Sequence, residues 1–447
     1  MSTKVVPPGK SLSRRLSTRI EPTPHIRSTG PISAEHLTTS FSFTELGVST
    51  DLVDLLESQG ITSPFPIQAL TIPDALAGLD VCGKAKTGSG KTLAFGLPII
   101  ENLRDAQSKR PVALVLVPTR ELCSQVTETL RPLAQARGHE VVAIYGGVSM
   151  QQQMDALARG AEIVIATPGR LIDLYERRAL ALNGVEAVVI DEADEMSDLG
   201  FLPQVRWIMR AVEGDHQTML FSATLGGSVG ALIDSYMEDP VFHEVRSGSV
   251  TVETSQHRFL QVHHMDKAKV AARIAASAER MLVFVRTKRG CDQVAKDLRD
   301  LGVAARPIHG NLPQGKRERM LAAFADGDSN VLVATNVAAR GLDIEGVDIV
   351  LHYDPPEDSK TYVHRSGRTA RAGEEGLVVT FVEWDQIEMV HKVQIEAGLS
   401  EPIVKMFSND DRLDDLTSWA APSDLVRPEL KRKTLRAAKG RRKKSLL

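Results

Sequence analysis

Ala187-Val188-Val189-Ile190-Asp191-Glu192-Ala193-Asp194 is the stretch on which the reading of this chain turns. Four apolar residues, three of them β-branched, are followed at once by three carboxylates in four positions. An apolar run that short and continuous predicts a strand covered on both faces, as in parallel sheets enclosed by helices. The acids would then sit at the carboxyl tip of a buried strand. One carboxylate there caps a following helix, but three so close repel one another unless a cation is present. Asp191 is thereby placed to hold Mg2+ through water, and Glu192 to orient or deprotonate an attacking water.

Working outward, the same pattern recurs. Apolar β-rich runs lie at Val112-Val117, Val141-Tyr145, Ile163-Ala166 and Met219-Phe221, then at Leu282-Val285, Val331-Ala334, Asp348-His352 and Leu377-Val382. Stretches with apolar residues three and four apart separate them, which predicts strands alternating with helices. The expected fold is α/β: two tandem domains, each a mostly parallel sheet with helices on both faces. A polar, aperiodic stretch at 246–256 is the expected linker, leaving a first domain at 40–245 and a second at 257–406. Residues 1–39, rich in Pro, Ser, Thr and Arg, are expected to be a disordered basic arm, preferred over an organelle transit peptide. Residues 407–447, first acidic and then basic, are expected to be a disordered tail.

The 447 residues, 42% of them hydrophobic, suffice for two ordinary domains with cores. Cys82, Cys123 and Cys291 are far apart without metal-ligand spacing, which argues against a disulfide framework or zinc site and fits a reducing, cytoplasmic setting. No apolar run approaches the ~18 residues of a membrane span, so no membrane partner is expected. The net charge of -3 taken alone argues against a nucleic-acid partner. Its distribution is uneven, however: the C-terminal stretch carries Lys431-Arg432-Lys433 and Arg441-Arg442-Lys443-Lys444 against only Glu429. Such a run is either a solvated tail or a polyanion contact.

The residues just after the strands are the unusual ones, and in open α/β sheets ligands bind at the carboxyl ends of strands. Ala85-Lys86-Thr87-Gly88-Ser89-Gly90-Lys91-Thr92 follows the phosphate-loop pattern, with Ala85 where the simple form has Gly. Its glycines let backbone N–H groups and a helix N-terminus face an anion. Thr87, Gly88, Ser89 and Gly90 would wrap the phosphates, Lys91 would reach the β/γ-phosphates, and Thr92 would offer its hydroxyl to Mg2+. Hydrolysis of a phosphoanhydride is mostly positioning plus charge stabilisation, and it further requires an arginine. His364-Arg365-Ser366-Gly367-Arg368-Thr369-Ala370-Arg371 supplies one from the second domain, so an ATP site would be complete only when the domains close.

Taken in order, these segments resemble the DEAD-box branch of superfamily 2 helicases, from about Phe43 to about Phe381. The resemblance rests on Phe43 with Gly60-Ile61-Thr62-Ser63-Pro64-Phe65-Pro66-Ile67-Gln68, the phosphate loop, Pro118-Thr119-Arg120-Glu121, Gly146-Gly147, Thr167-Pro168-Gly169-Arg170, Asp191-Asp194 and Ser222-Ala223-Thr224. In the second domain it rests on Phe284-Lys288, His309-Gly310 with Gln314 and Arg317, Ala334-Asp343 and the arginine segment. It implies two RecA-like domains forming an ATP-dependent RNA helicase. This would be an RNA-dependent ATPase that clamps single-stranded RNA and separates short duplexes or remodels RNA–protein complexes.

Residue by residue, the resemblance implies that Gln68 reads adenine with Phe43 upstream, Asp343 contacts the ribose, and Arg368 and Arg371 are arginine fingers. Thr119, Arg120, Gly147, Thr167, Arg170 and Thr335 would line the RNA, mainly grasping its backbone. Asp194, Ser222, Thr224 and His364 would couple the two sites. Ribonucleoprotein partners and a monomeric state are expected; which RNA is the target is not written in the sequence. Phe65 stands where the family commonly has Thr, Ser366 where it has an apolar residue, Ala370 where it often has Gly, and Asn336 where it often has Asp.

Overall fold

The computed structural model describes residues 32–33, 41–86, 88–103, 110–246, 255–339, 344, 347–369, 376–419, 425 and 428. Eight strands form a first sheet: β1 (Ile32–Ser33), β2 (Val81–Lys84), β3 (Ala113–Leu116), β4 (Val141–Ile144), β5 (Ile163–Ala166), β6 (Ala187–Ile190), β7 (Gln217–Ser222) and β8 (Val241–Arg246). Their spatial order is β1-β8-β2-β7-β6-β3-β5-β4, and every pairing is parallel. Seven more form a second sheet: β9 (Ser255–Gln261), β10 (Met281–Val285), β11 (Ala305–Ile308), β12 (Val331–Thr335), β13 (Ile349–His352), β14 (Gly376–Val382) and β15 (Ile403–Lys405). Their order, β11-β12-β10-β13-β14-β9-β15, is again parallel throughout.

Each sheet has two buried faces, because successive strand side chains point to opposite sides. Val115, Val189, Met219 and Phe221 pack into one core of the first sheet, whereas Leu114, Leu116, Val188, Ile190 and Leu220 pack into the other. In the second sheet Val283, Val285 and Val333 face one core and Leu282, Phe284 and Leu332 the opposite one. This two-sided burial explains why the central strands read as unbroken apolar runs. Gly83 in β2 is required by the same packing, since a Cβ there would lie 2.5 Å from the Phe221 ring.

Several expectations need correction. Strands β2, β8, β9, β11 and β15 were not among the expected runs. β2 is interrupted by Gly83, β11 carries Pro307 at a sheet edge where a missing N–H is tolerated, and β9 mixes polar and apolar residues. The expected linker 246–256 gives up both ends, Arg246 to β8 and Ser255-Gln256 to β9; 247–254 lie outside the described residues. Within the expected disordered arm, Ile32–Ser33 pair with Val245–Arg246, and the rest of the arm is not described.

The tail also begins later than 407. Leu413 and Leu416 are buried in the core that holds Leu260 and Val379. Asp266 accepts from the Ser408 N–H and hydroxyl, both at 2.8 Å, and Arg273 donates to Asp414 at 2.5 Å. Arg258 donates to the Leu416 carbonyl at 2.8 Å, and its guanidinium lies 5.4 Å from the Trp419 ring centroid. Part of the acidic run that reads as a solvated tail is thus paired within the chain. The basic residues beyond it lie outside the described residues.

Candidate active site and RNA interface

The strand tips of the first sheet converge as the spacing predicts. Lys91 opens the helix Lys91–Asn102, with Gly88 and Gly90 at φ +78° and +82°, a left-handed backbone that glycine adopts without a Cβ penalty. The Lys91 ammonium is buried and donates to Glu192 Oε1 at 2.8 Å and to the Ala85 carbonyl at 3.3 Å. Burial works against its charge, but Glu192 and then Asp191 outweigh it and hold its pKa above the ordinary lysine value. Burial pushes the Asp191 carboxyl well above the usual carboxylate range; Lys91 opposes that shift and Glu192 adds to it. Thr87 lies outside the described residues.

Glu192 is also strained. Its φ of +50° and ψ of +51° place a non-glycine residue in the left-handed region, at a cost of about 1–2 kcal/mol. Strain at a residue whose carboxylate meets the phosphate-loop lysine points to function rather than to folding. Asp191 Oδ1 accepts from the Glu192 N–H at 2.9 Å, which fixes the turn. Next to it, the Asp194 N–H donates to Ser222 Oγ at 3.2 Å and Thr224 Oγ1 donates to Asp194 Oδ2 at 3.2 Å. The acidic turn and the Ser222–Thr224 segment are therefore one hydrogen-bonded unit. Thr92 stands half-buried beside Lys91. The hydroxyl and the two carboxylates are the hard oxygen donors that Mg2+ prefers. Among the described residues no cluster of three His, Cys, Asp or Glu could hold a metal alone.

Gln68 does cap a helix. In the third position of Pro66–Leu76, its Oε1 accepts from the Phe65 N–H at 2.7 Å, and its Nε2 donates to the Gly90 carbonyl at 2.9 Å. A primary amide has two donors and two acceptor lone pairs, so one of each remains for a base. The side chain is only 1% exposed. Phe43 is not placed to stack on a nucleotide: it is 2% exposed and belongs to the core of the first domain. The aromatic beside the phosphate loop is Phe65, 55% exposed, whose ring would lie 2.6 Å from a Cβ at Gly90.

Three of the expected RNA-lining residues come together. The Arg120 guanidinium lies against Gly147, where φ is +91° and a Cβ would collide with Arg120 Nη1. Arg170 donates to the Val148 carbonyl and to Gln153 Oε1, both at 3.4 Å. Thr119 caps its helix, accepting from the Leu122 N–H at 3.2 Å, and Thr167 precedes the helix Pro168–Glu176. Thr335, buried at the tip of β12, belongs to the second sheet.

In the second domain the helix Ser359–Ser366 carries His364 and Arg365 in its last turn, with Arg368 buried just beyond. Arg365 Nε donates to Asn336 Oδ1 at 2.5 Å and Nη1 to the Asp354 carbonyl at 2.8 Å, while its guanidinium lies 5.1 Å from the Phe284 centroid. Asp343 and Arg371 lie outside the described residues.

Among the described residues two ion pairs cross between the sheets' domains, and neither was singled out from the sequence. Arg317, in the helix Gln314–Ala325, meets Glu121, in the helix Arg120–Gln135, at 2.9 Å with both side chains 6% exposed. Lys360 meets Asp198 at 2.9 Å, with side chains 41% and 31% exposed. No periodicity marks a residue whose partner lies in another domain.

Two parallel α/β domains, a phosphate loop whose lysine faces paired carboxylates, and an arginine-bearing helix in the second domain define a P-loop nucleoside-triphosphatase. Residues 65–232 match the DEAD/DEAH box helicase family and residues 266–373 the helicase conserved C-terminal domain. The chain is 41% identical over 355 residues to the DEAD-box ATP-dependent RNA helicase CshA of Geobacillus kaustophilus, covering 79% of this chain and 76% of that one. CshA of Bacillus subtilis is likewise 41% identical, over 79% of this chain and 72% of its own length. Among solved structures, S. cerevisiae Dbp5 bound to RNA and ADP BeF3 is 27% identical with a TM-score of 0.72, over 84% of this chain and 98% of that one. Mss116p bound to ssRNA and AMP-PNP is 25% identical with a TM-score of 0.72, over 84% and 81%. The chain belongs to the DEAD-box ATP-dependent RNA helicases, and its two domains are RecA-like. No helix among the described residues is long and apolar enough to cross a membrane.

Proposed function

We propose that the chain is an RNA-dependent ATPase that grips single-stranded RNA across its two domains and uses ATP hydrolysis to separate short duplexes or remodel RNA–protein complexes. The observation that carries this is the buried Glu121–Arg317 pair. It joins the helix that begins with Arg120, beside Gly147 and Arg170, to the second domain. RNA lying along those arginines would therefore be read by the same contact that brings the arginine-bearing helix towards the phosphate loop. The domain assignment follows: an ATP-binding domain at 40–245 and a helicase C-terminal domain at 257–406, here extended to about 419. A monomer acting in the cytoplasm, with ribonucleoprotein partners choosing the target, completes the proposal; the three buried free cysteines support a reducing compartment.

In this reading Lys91 leaves Glu192 for the phosphates of ATP, which frees the Glu192 carboxylate to orient and deprotonate water. Mg2+, when bound, supplies positive charge to the phosphate oxygens, with Asp191 and Thr92 on its periphery. Arg368 and Arg371 stabilise charge on the γ-phosphate from the second domain, and Asp343 holds the ribose. The Ser222–Thr224 segment, tied to Asp194, passes the state of the acidic turn towards the RNA, with His364 on the opposite side. Gln68 offers its remaining donor and acceptor to adenine, with Phe65 rather than Phe43 as the aromatic neighbour. Thr119, Thr167 and Thr335 join Arg120, Gly147 and Arg170 along the RNA backbone.

Glu192→Gln tests the assignment. RNA-stimulated hydrolysis should fall on the order of 10²–10⁴-fold, the usual contribution of a general base, while ATP and RNA binding persist and the RNA complex becomes long-lived. The nucleotide-free variant should melt earlier, because buried Lys91 loses its counter-ion, and ATP should restore most of the difference. Turnover at the wild-type rate would refute the role of Glu192.

A further inference from the structure

The first sheet ends at β4, whose outer edge has no strand partner among the described residues. Against that edge lies a cleft of ≈ 390 Å³ between the helices Arg120–Gln135 and Met150–Arg159. Its walls include Arg131, Arg159 and Tyr145, with Glu140 the one carboxylate among its lining residues. Both arginines are exposed, and neither has an ion-pair or hydrogen-bond partner among the described residues. Two arginines lining one cleft, neither of them ion-paired and only Glu140 opposing them, leave a net positive charge along its open wall. A volume near the lower end of ligand clefts suits a single nucleotide unit rather than a folded partner.

The cleft is continuous with the expected RNA track. Tyr145 directly precedes Gly146-Gly147, against which Arg120 lies. Val148 and Gln153 also line the cleft, and Arg170 donates to the carbonyl of the first and the amide oxygen of the second. Gln153 is buried, and its Nε2 donates to the Tyr145 carbonyl at 2.9 Å, which holds the cleft wall and the track wall as one piece. Half-buried Tyr145 lines the same cleft as the two arginines, and an aromatic ring beside cations is the combination that single-strand binding grooves use for a base and its flanking phosphates.

The geometry points to an additional single-stranded RNA subsite in this cleft. Arg131 and Arg159 take the backbone phosphates of a nucleotide that extends beyond the Arg120–Gly147–Arg170 track at one end, and Tyr145 faces its base. This subsite rests on the RNA reading of the track. Its action is to lengthen the grip on RNA without touching the ATP site.

The test uses the full chain with a non-hydrolysable ATP analogue and single-stranded RNAs lengthened stepwise, from the 5′ end in one series and the 3′ end in the other. Wild type should gain affinity on lengthening from one end only. A variant carrying Arg131→Gln and Arg159→Gln, which keeps size and polarity, should lose that gain yet bind the shortest competent RNA as wild type does. Its salt slope on long RNA should be smaller by about 1.4, roughly 0.7 for each of two phosphates. Between 50 and 200 mM salt, long RNA would then lose roughly sevenfold less affinity than with wild type. Arg120→Gln is the control for the track and should weaken short and long RNA alike. If the double variant keeps the full gain and slope while Arg120→Gln weakens all RNAs, the subsite is refuted and the track stands. If Arg120→Gln changes nothing on the shortest RNA, the track reading falls and the subsite with it.

Discussion

The two ion pairs that cross between the domains have the same length and opposite surroundings. Glu121–Arg317 and Asp198–Lys360 are both 2.9 Å, yet the first is sealed and the second lies in partial contact with solvent. The sealed pair is also poorly aligned, for the 2.9 Å approach of Arg317 Nη2 to Glu121 Oε1 does not have the angles of a hydrogen bond, and Arg317 Nε makes none either. Burial pulls the Arg317 pKa down; Glu121 opposes that shift and nearby Arg120 adds to it. A buried pair of this kind adds little net stability, because desolvation offsets the attraction, but it penalises the loss of one partner heavily. On the proposed clamp, the difference means that closure would be specified by one contact and only trimmed by the other. An interface that reopens in every cycle of such a clamp would benefit from a specific contact that is not strongly stabilising.

Removing one partner of the sealed pair is the harshest way to break this comparison. Arg317→Ala should destabilise the closed form by about 3–5 kcal/mol, since Glu121 is left buried without a counter-charge. RNA-stimulated turnover should then drop by about two decades or more, at about 1.4 kcal/mol per decade, while ATP affinity without RNA changes little. The sharper experiment adds Glu121→Leu to Arg317→Met. Replacing both charges by apolar groups is often neutral or stabilising, so the double variant should recover much of the turnover lost in either single one. If Arg317→Ala alone keeps full RNA-stimulated activity, the pair does not specify closure.

How much of this could be read beforehand follows from what each feature depends on. The phosphate loop and the Asp191–Asp194 turn are local in sequence, and their chemistry comes from neighbours along the chain, so both were legible. Most central strands were legible because two-sided burial leaves no polar positions in Val188–Ile190 or Leu282–Val285, whereas Gly83 in β2 and the polar positions of β9 hid those two. Of the edge strands β4 was legible, but β11 keeps a proline and β15 is three residues long, and both escaped. Phe43 shows the limit for site residues, because an aromatic upstream of a nucleotide loop can face either the base or the core, and only tertiary packing decides. Glu121 and Arg317 stood inside recognised segments, but what makes them a pair is the meeting of two domains. The 407–419 segment misled through its charges, because Asp414 pairs with Arg273 far away in the chain and Asp410 with Arg412 two residues on.

A third arrangement is a buried arginine tied within its own domain. Arg365 is buried like Arg317, but its described contacts are the amide oxygen of Asn336, a carbonyl and an aromatic face within its own domain. It ties the turn after Thr335 to the helix that leads to Arg368. Asn336→Ala should cost about 1.5–3 kcal/mol, the range for a hydrogen bond to a charged group, visible as a lower melting temperature of the second domain. Its effect on turnover should be smaller than that of Arg317→Ala and should appear mainly as a raised RNA requirement, because the helix that leads to the proposed arginine finger Arg368 loses its register with the turn proposed to line the RNA. Wild-type stability and RNA requirement in Asn336→Ala would show that the remaining Arg365 contacts suffice.

The exposed pair should respond least. Lys360 and Asp198 are long or solvated side chains, and holding them together costs rotamer entropy that offsets most of the attraction at a surface. Asp198 ends the short helix that starts after Glu192, and Lys360 is the second residue of the helix that carries Arg365, so the pair joins the two elements proposed to serve the nucleotide. Position therefore argues for an influence on closure, and exposure argues for a weak one. Magnitude decides between them: exposed pairs contribute about 0.2–1 kcal/mol, so Asp198→Asn should lower RNA-stimulated turnover by a few-fold at most. Its salt dependence is the sharper readout. At low ionic strength the variant and wild type should differ, and raising salt beyond about 0.15 M, where screening acts within about 8 Å, should bring them together. The Arg317→Ala deficit should persist over the same range, because a sealed pair is screened far less. Equal salt responses for the two variants would mean that the difference in burial does not govern how the domains are held.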